Sequence, residues 1–250
     1  MKFVRQLNKD DLQYLQKAVA SYEKSDTQSR LIRLLNEACR IREFNDRFCT
    51  HLRSLTTRVR ILKKINNLQE ESVLMGEAAG TYYDKLKKNE IFTDKELLLV
   101  SLIENYFSEK KILEIGCGVG QVSIYLKMQN IDIEACDFTP HRESLTKNMC
   151  EHFNINLPFY NIPFQELDLK KYDMIIAANV RSPRNNFLHD KTLFESFLTD
   201  KNKFVILDWT DYSTTEQDKG PLQTFSNDQI NRILNYIETR GAQKETYAAL

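Results

Sequence analysis

Gly116, Gly118 and Gly120 alternate with Cys117 and Val119, so three glycines fall in five positions. Such a stretch can turn sharply at positive φ, and it lacks the Cβ atoms that would hold a ligand away from the backbone. Before it comes a short apolar run, Ile112, Leu113 and Ile115, and after it Val122, Ile124, Tyr125 and Leu126 recur at helical spacing. A buried strand, a glycine turn and a helix start in that order make a nucleotide cradle. The spacing excludes two kinds. A dinucleotide fingerprint needs its third glycine three positions after the second, where Gln121 stands, and a phosphate loop ends in Gly-Lys-Ser/Thr, which is absent. Glu114, two residues before Gly116, would repel a pyrophosphate and suits a cationic ligand. Asp137 lies 21 residues after Gly116, at the end of the alternating run 131–136. A nucleotide-binding βαβ unit places there the carboxylate that accepts hydrogen bonds from ribose hydroxyls.

Further along, 172–180 reads as a buried strand followed by a loop, 181–190, at the carboxyl edge where open α/β sheets bind substrates. Arg181 and Arg184 suit a phosphate or carboxylate clamp there, and His189 is the candidate general base. Solvated arginines, and a helix N-terminal or satisfied surface histidine, are the plainer alternatives.

The run Glu114-Ile115-Gly116-Cys117-Gly118-Val119-Gly120 resembles the first motif of the class I S-adenosylmethionine-dependent methyltransferases. Their cofactor carries a sulfonium and an amino group and no phosphate. The resemblance implies a doubly wound, mostly parallel sheet with S-adenosylmethionine as cofactor. It carries over Glu114, Gly116, Cys117, Gly118, Asp137 and Phe138 as cofactor-binding residues. Tyr82 or Tyr83, ahead of the first strand, would reach the methionine end, with Tyr83 taken as the contact. Asn179, at the end of the fourth strand, would face the transferable methyl. Pro163 stands where the family usually has an acidic residue at the adenine, which leaves Phe164, Gln165 and Glu166. Methyl transfer is an in-line displacement, so the protein chiefly aligns the reactants and excludes water. The family's Asn/Asp-Pro-Pro-Tyr/Phe motif and a Pro-Cys pair are both absent, which demotes adenine, glutamine and cytosine C5 acceptors. An oxygen or amine of a small molecule, sugar or lipid-linked intermediate is the expected acceptor. A protein or RNA acceptor recruited by a basic helix, and a non-catalytic binding or scaffold module on the same fold, are the alternatives.

These residues need a framework, and the 250-residue chain has length for one large domain with an extension. The first glycine is Gly76 and the first proline Pro140, so residues 1–75 should form a helical extension ahead of a cofactor-binding domain over 76–250. A short helix is expected first, then an interruption at 24–29, then a helix of about 40 residues carrying Ile41, Phe44, Phe48, Leu52, Leu55, Val59, Leu62 and Ile65. Residues 1–75 hold 15 Lys/Arg against 9 Asp/Glu, and the remainder 20 against 26. The basic helix suits a solvated face, self-association as a homodimer, a nucleic-acid grip or a membrane surface, the last two less favoured. Thr93-Asp94-Lys95-Glu96 is a capping box for a helix to about Phe107. Strands are expected at 131–136, 158–162, 172–180 and 204–209, a late helix from 226 to 241, and a last strand at 245–250. Five cysteines without a Cys-x-x-Cys pair favour reduced thiols, no metal site and a cytoplasmic setting, as does the N-terminus, which lacks an apolar signal core.

Overall fold

Ile112–Ile115 (β1) is buried at every position, as expected of a strand covered on both faces. It pairs in parallel with β2 (Ile133–Cys136) on one side and β4 (Met174–Ser182) on the other. With β3 (Phe159–Tyr160) and β5 (Phe204–Asp211) the described residues form a sheet of five strands in the order β3-β2-β1-β4-β5, all parallel. The computed structural model describes residues 26–65, 82–139, 141–182, 184–211 and 232–240. Around the sheet lie α1 (Asp26–Ile65), α2 (Tyr83–Lys88), α3 (Asp94–Tyr106), α4 (Gln121–Met128), α5 (Arg142–Phe153), α6 (Arg184–Phe197) and α7 (232–240). The order reverses at β1, so the chain crosses over in opposite directions from β1 to β2 and from β3 to β4. That leaves a crevice beyond the carboxyl ends of β1 and β4.

The sheet divides two apolar cores. Ile112, Ile133, Met174 and Ile176 face a core shared by α1, α3, α4 and α5. Leu113, Ile115, Ile175 and Val205 face another, closed by Phe194 and Phe197 of α6. The capping box of α3 is formed: Glu96 N–H donates to Thr93 Oγ1 (3.2 Å), and Thr93 N–H donates to Glu96 Oε2 (2.5 Å).

Helix α1 runs 40 residues, and its apolar face belongs to the first core. Phe44, Phe48, Cys49, Leu52 and Leu55 are buried, with the Phe44 ring 5.1–5.4 Å from those of Phe92, Tyr125 and Phe153. Polar contacts fix the register: Asn45 Oδ1 accepts from Ile91 N–H (2.8 Å), Arg53 Nη2 donates to Leu86 O (2.6 Å), and His51 stacks on His152 at 4.0 Å. The interruption expected at 24–29 is not a break from Asp26 onward, where the helix is already running. The expected boundary at 75/76 and the short first helix lie outside the described residues.

The segment 181–190, expected as a loop, is instead the last two residues of β4 followed by α6. Pairing with β5 explains the longer strand. One extra residue in β4 between Ala177 and Val180 makes a bulge, after which Arg181 and Ser182 pair with Thr210 and Asp211. Phe194 and Phe197, three apart, account for the helix, because together they cover the second core. Residues 232–240 are helical within the expected late helix, whose start at 226 and the strand expected at 245–250 lie outside the described residues.

On the β3 edge, Glu134 of β2 is a buried carboxylate with four donors: Tyr172 Oη (2.5 Å), Tyr160 Oη (3.0 Å), Lys171 Nζ (3.0 Å) and Lys111 Nζ (3.3 Å). Burial alone would raise its pKa, but the four donors outweigh it and hold it at about 2, against 4.5 ordinarily. A depressed carboxylate stabilises the fold above its unfolded pKa, and the contribution is lost as pH falls through the folded one. Glu134→Gln should therefore destabilise the protein at neutral pH and lose most of that effect between pH 4.5 and about 2. Urea midpoints of the two proteins across that range measure it, and a pH-independent difference would show that the network is held by shape alone.

Candidate cofactor site

The glycine turn sits at the carboxyl end of β1, and all three of its glycines are left-handed: Gly116 at φ 64°, Gly118 at 62° and Gly120 at 75°. Gly116 and Gly118 also lie where a side chain would not fit. A Cβ on Gly116 would stand 2.7 Å from Val180 Cγ2, and one on Gly118 would stand 2.3 Å from the Tyr82 hydroxyl. Both turn geometry and close approach therefore require glycine here.

Asp137, directly after β2, braces this turn. Its Oδ2 accepts from Gly118 N–H (2.9 Å) and its Oδ1 from Thr139 N–H (2.7 Å), and the residue is 7% exposed. The turn and the end of β2 are also joined by Cys117 N–H donating to Cys136 O (3.2 Å). Beside Asp137 stands Phe138, 69% exposed and the most exposed large apolar side chain among the described residues. An aromatic ring left in water next to a braced carboxylate offers a flat surface for a base.

Tyr82, at the start of α2, lies over Gly118, with the Arg142 guanidinium 5.6 Å and the Lys85 ammonium 5.7 Å from its ring. Burial pushes its hydroxyl up to about 12, so it is a neutral phenol at the mouth of the turn. The side chain of Tyr83 lies outside the described residues, and of the two tyrosines Tyr82 is the one seen against the turn. Cys117 is buried, and burial raises its thiol well above the ordinary range, which makes it a packing group and not a nucleophile.

Glu114 is 1% exposed on the α3 and α4 side of β1 and is hydrogen-bonded by the Ser123 hydroxyl of α4. Nearby Glu96, also 1% exposed, accepts from Gln121 Nε2 (2.8 Å) and Lys85 Nζ (3.2 Å). Thr146 of α5 closes the back of the turn, its Cγ2 3.1 Å from where a Cβ on Gly120 would be. Glu96, Gln121, Ser123, Thr146 and Val180 border the turn without any motif that marks them as cofactor-binding. Glu96 reads as a capping residue and Gln121 as the residue excluding a dinucleotide fingerprint, and only the folded chain brings the two together.

After β3, the Phe164 ring turns into the second core, stacked on Phe194 at 5.4 Å. Gln165 is exposed and its Nε2 donates to Asp190 Oδ1 of α6 (2.7 Å), which ties this loop to the helix after β4. Asn179 lies in the bulge of β4, Arg181 at its end, Arg184 at the first position of α6 and His189 in its second turn. Their backbones share the carboxyl side of the sheet with the glycine turn, and their side chains lie outside the described residues. Among the described residues, no group of three or more His, Cys, Asp and Glu side chains is placed to hold a metal, and no helix is long and apolar enough to cross a membrane.

A parallel sheet ordered β3-β2-β1-β4-β5, with a left-handed glycine turn braced by an acidic residue after β2, agrees with the doubly wound sheet that the motif resemblance implies. Residues 80–195 match the family described as Tellurite resistance protein TehB. An uncharacterized methyltransferase of Staphylococcus carnosus (strain TM300) is 25% identical over 138 residues, 53% of this chain and 62% of that protein. The match thus spans less than two thirds of that relative's length. Among solved structures, TehB from Haemophilus influenzae is 17% identical with a TM-score of 0.38, covering 62% of this chain and 54% of that one. A S-adenosylmethionine-dependent methyltransferase from Clostridium acetobutylicum is 16% identical with a TM-score of 0.35, covering 53% of this chain and 55% of that one. Over residues 80–195 the chain is thus similar to the TehB family, and over 138 residues to a methyltransferase.

Proposed function

We propose that this protein binds S-adenosylmethionine at the Gly116–Gly120 turn and transfers its methyl group to an oxygen or amine of a small-molecule, sugar or lipid-linked acceptor. The observation that carries the reading is the brace of Asp137 on Gly118, which sets a carboxylate and three Cβ-free or closely packed turn positions at the open ends of β1 and β2. The glycines let a ligand approach the backbone and the first turn of α4, and Asp137 keeps lone pairs for ribose hydroxyls. Phe138 would cover the base, and the loop 164–166, through Gln165 and its backbone, would border it. Tyr82 would close over the methionine end and keep water out. The bound cofactor supplies an electrophilic methyl on a sulfonium. Arg181 and Arg184 would clamp an anionic group of the acceptor, and His189 would take the proton from the attacking oxygen or nitrogen.

Titration calorimetry tests the first step: S-adenosylmethionine should bind more tightly than NAD, and equal or tighter NAD binding would sink the assignment. Transfer of labelled methyl is then measured against sugars, small amines and alcohols. Tellurite belongs in the same panel because of the matched family's name. Tight cofactor binding with no acceptor methylated would favour a docking or scaffold module on the methyltransferase fold.

A further inference from the structure

Three buried carboxyl groups meet behind the glycine turn, and they are not equally provided for. Asp137 accepts two backbone N–H bonds, and Glu96 accepts from Lys85, Gln121 and Thr93. Glu114 has the Ser123 hydroxyl, and among the described residues no Lys, Arg or His forms an ion pair with it. The groups that face it from the surrounding elements are Glu96 from α3, Ser123 from α4, Cys117 from the turn, and Cys136 and Asp137 from the end of β2. Two of these are carboxylates and two are thiols kept neutral by burial. An ionised carboxyl at such a position would be a desolvated charge next to like charges, which is costly.

We propose that Glu114 holds a proton while the cradle is empty and gives it up when a cation of the cofactor enters, so that cofactor binding releases a proton to solvent. This rests on the S-adenosylmethionine reading above. The O–H bond of the carboxyl breaks, the proton passes to buffer, and the carboxylate left behind faces the incoming positive charge; no electron moves. Burial lifts the Glu114 carboxyl to about 8, the Ser123 hydrogen bond pulls against it, and the charges of Glu96 and Asp137 add to the rise. In the empty protein, the stabilising effect of this group is fully present below its unfolded pKa of about 4.5 and is lost as pH rises through about 8. Cofactor binding runs the other way. It favours the ionised form, so affinity rises with pH by up to about tenfold per unit for one proton.

The test is calorimetry on the full chain between about pH 6 and about 7.5, below the ligand's own amine at about 7.7–8.0. S-adenosylmethionine should bind several-fold and up to about thirty-fold more tightly at the upper end. Its apparent binding heat should change between buffers of different ionisation enthalpy in the sense of proton release. Methylthioadenosine, which carries neither the sulfonium nor the amine, should bind with no pH dependence. Glu114→Gln matches the neutral carboxyl in size and keeps an acceptor for Ser123, so it should fold and bind S-adenosylmethionine with a flat pH profile. The variant comparison also separates Glu114 from Glu104, which burial raises to about 7 on α3. S-adenosylmethionine binding with neither a pH slope nor a buffer-dependent heat in the wild-type protein would overturn the proposal and leave the cofactor assignment standing. The same slope in Glu114→Gln would also overturn it, by giving the proton to another group. No binding at any pH would overturn the cofactor assignment, and this proposal with it.

Discussion

Phe48→Ala should cost about 3–5 kcal/mol of stability, the range for removing a fully buried phenylalanine ring. Phe48 is 0% exposed, and its ring lies 5.2 Å from Phe44 and 5.9 Å from Phe153 of α5, so the cavity would open between α1 and the domain. A loss of that size is a large share of the roughly 5–15 kcal/mol by which folded proteins usually exceed their unfolded states. At about 2–4 °C per kcal/mol for a chain of this size, the melting temperature should fall by roughly 10 °C. Cofactor affinity of the folded protein should change little, because the ring packs at Phe153, the last residue of α5, whereas Asp137 precedes the first residue of that helix. Deleting α1 is a poorer experiment, since it would expose Phe92, Tyr125 and Phe153 together. A thermal shift of only a degree or two would mean that α1 is an appendage whose contacts contribute little to the fold.

The strands and the glycine turn were legible because each depends on local chemistry. The run 112–115 is apolar at nearly every position, and alternate glycines leave the backbone few other uses. Thr93 and Glu96 likewise announced their helix start through short-range hydrogen bonds. What was not legible depends on pairs far apart in sequence. Arg181 and Ser182 belong to β4 only because β5 extends beside them, and no local pattern marks the bulge that sets the register. Residues 181–190 read as a loop, and the helix over 184–197 is explained by Phe194 and Phe197 meeting a core built from β1 and β4. Phe164 was a plausible neighbour for an adenine until Phe194 came to lie parallel with it. The stripe of α1 was plain in the sequence, yet its partner was not, since Phe153 lies about a hundred residues further along.

Asp137→Ala should weaken S-adenosylmethionine binding by at least tenfold and should also destabilise the empty protein. The second effect is set by the structure. An open strand end by itself would leave the carboxylate without partners in the empty site, whereas both oxygens here accept backbone N–H bonds, from Gly118 and Thr139. Hydrogen bonds to a charged group contribute about 1.5–3 kcal/mol each, and truncation leaves two partly buried donors unpaired in a turn whose glycines are all left-handed. The turn would lose its brace before any ligand arrived. An ionised carboxylate has about four acceptor sites, so the two bonds to the turn leave room for two ribose hydroxyls. A brace and a ribose contact are therefore compatible roles, and the measurement has to separate them. Asp137→Asn keeps one oxygen for Gly118 or Thr139 and loses the charge, so it should recover part of the stability and little of the affinity. Comparing S-adenosylmethionine with an analogue lacking the ribose hydroxyls completes the separation: the wild type should prefer the natural cofactor, and Asp137→Asn should discriminate less. Equal discrimination by the two proteins would confine Asp137 to bracing the turn, and the ribose would have to find its acceptors elsewhere along the carboxyl ends of β1 and β2.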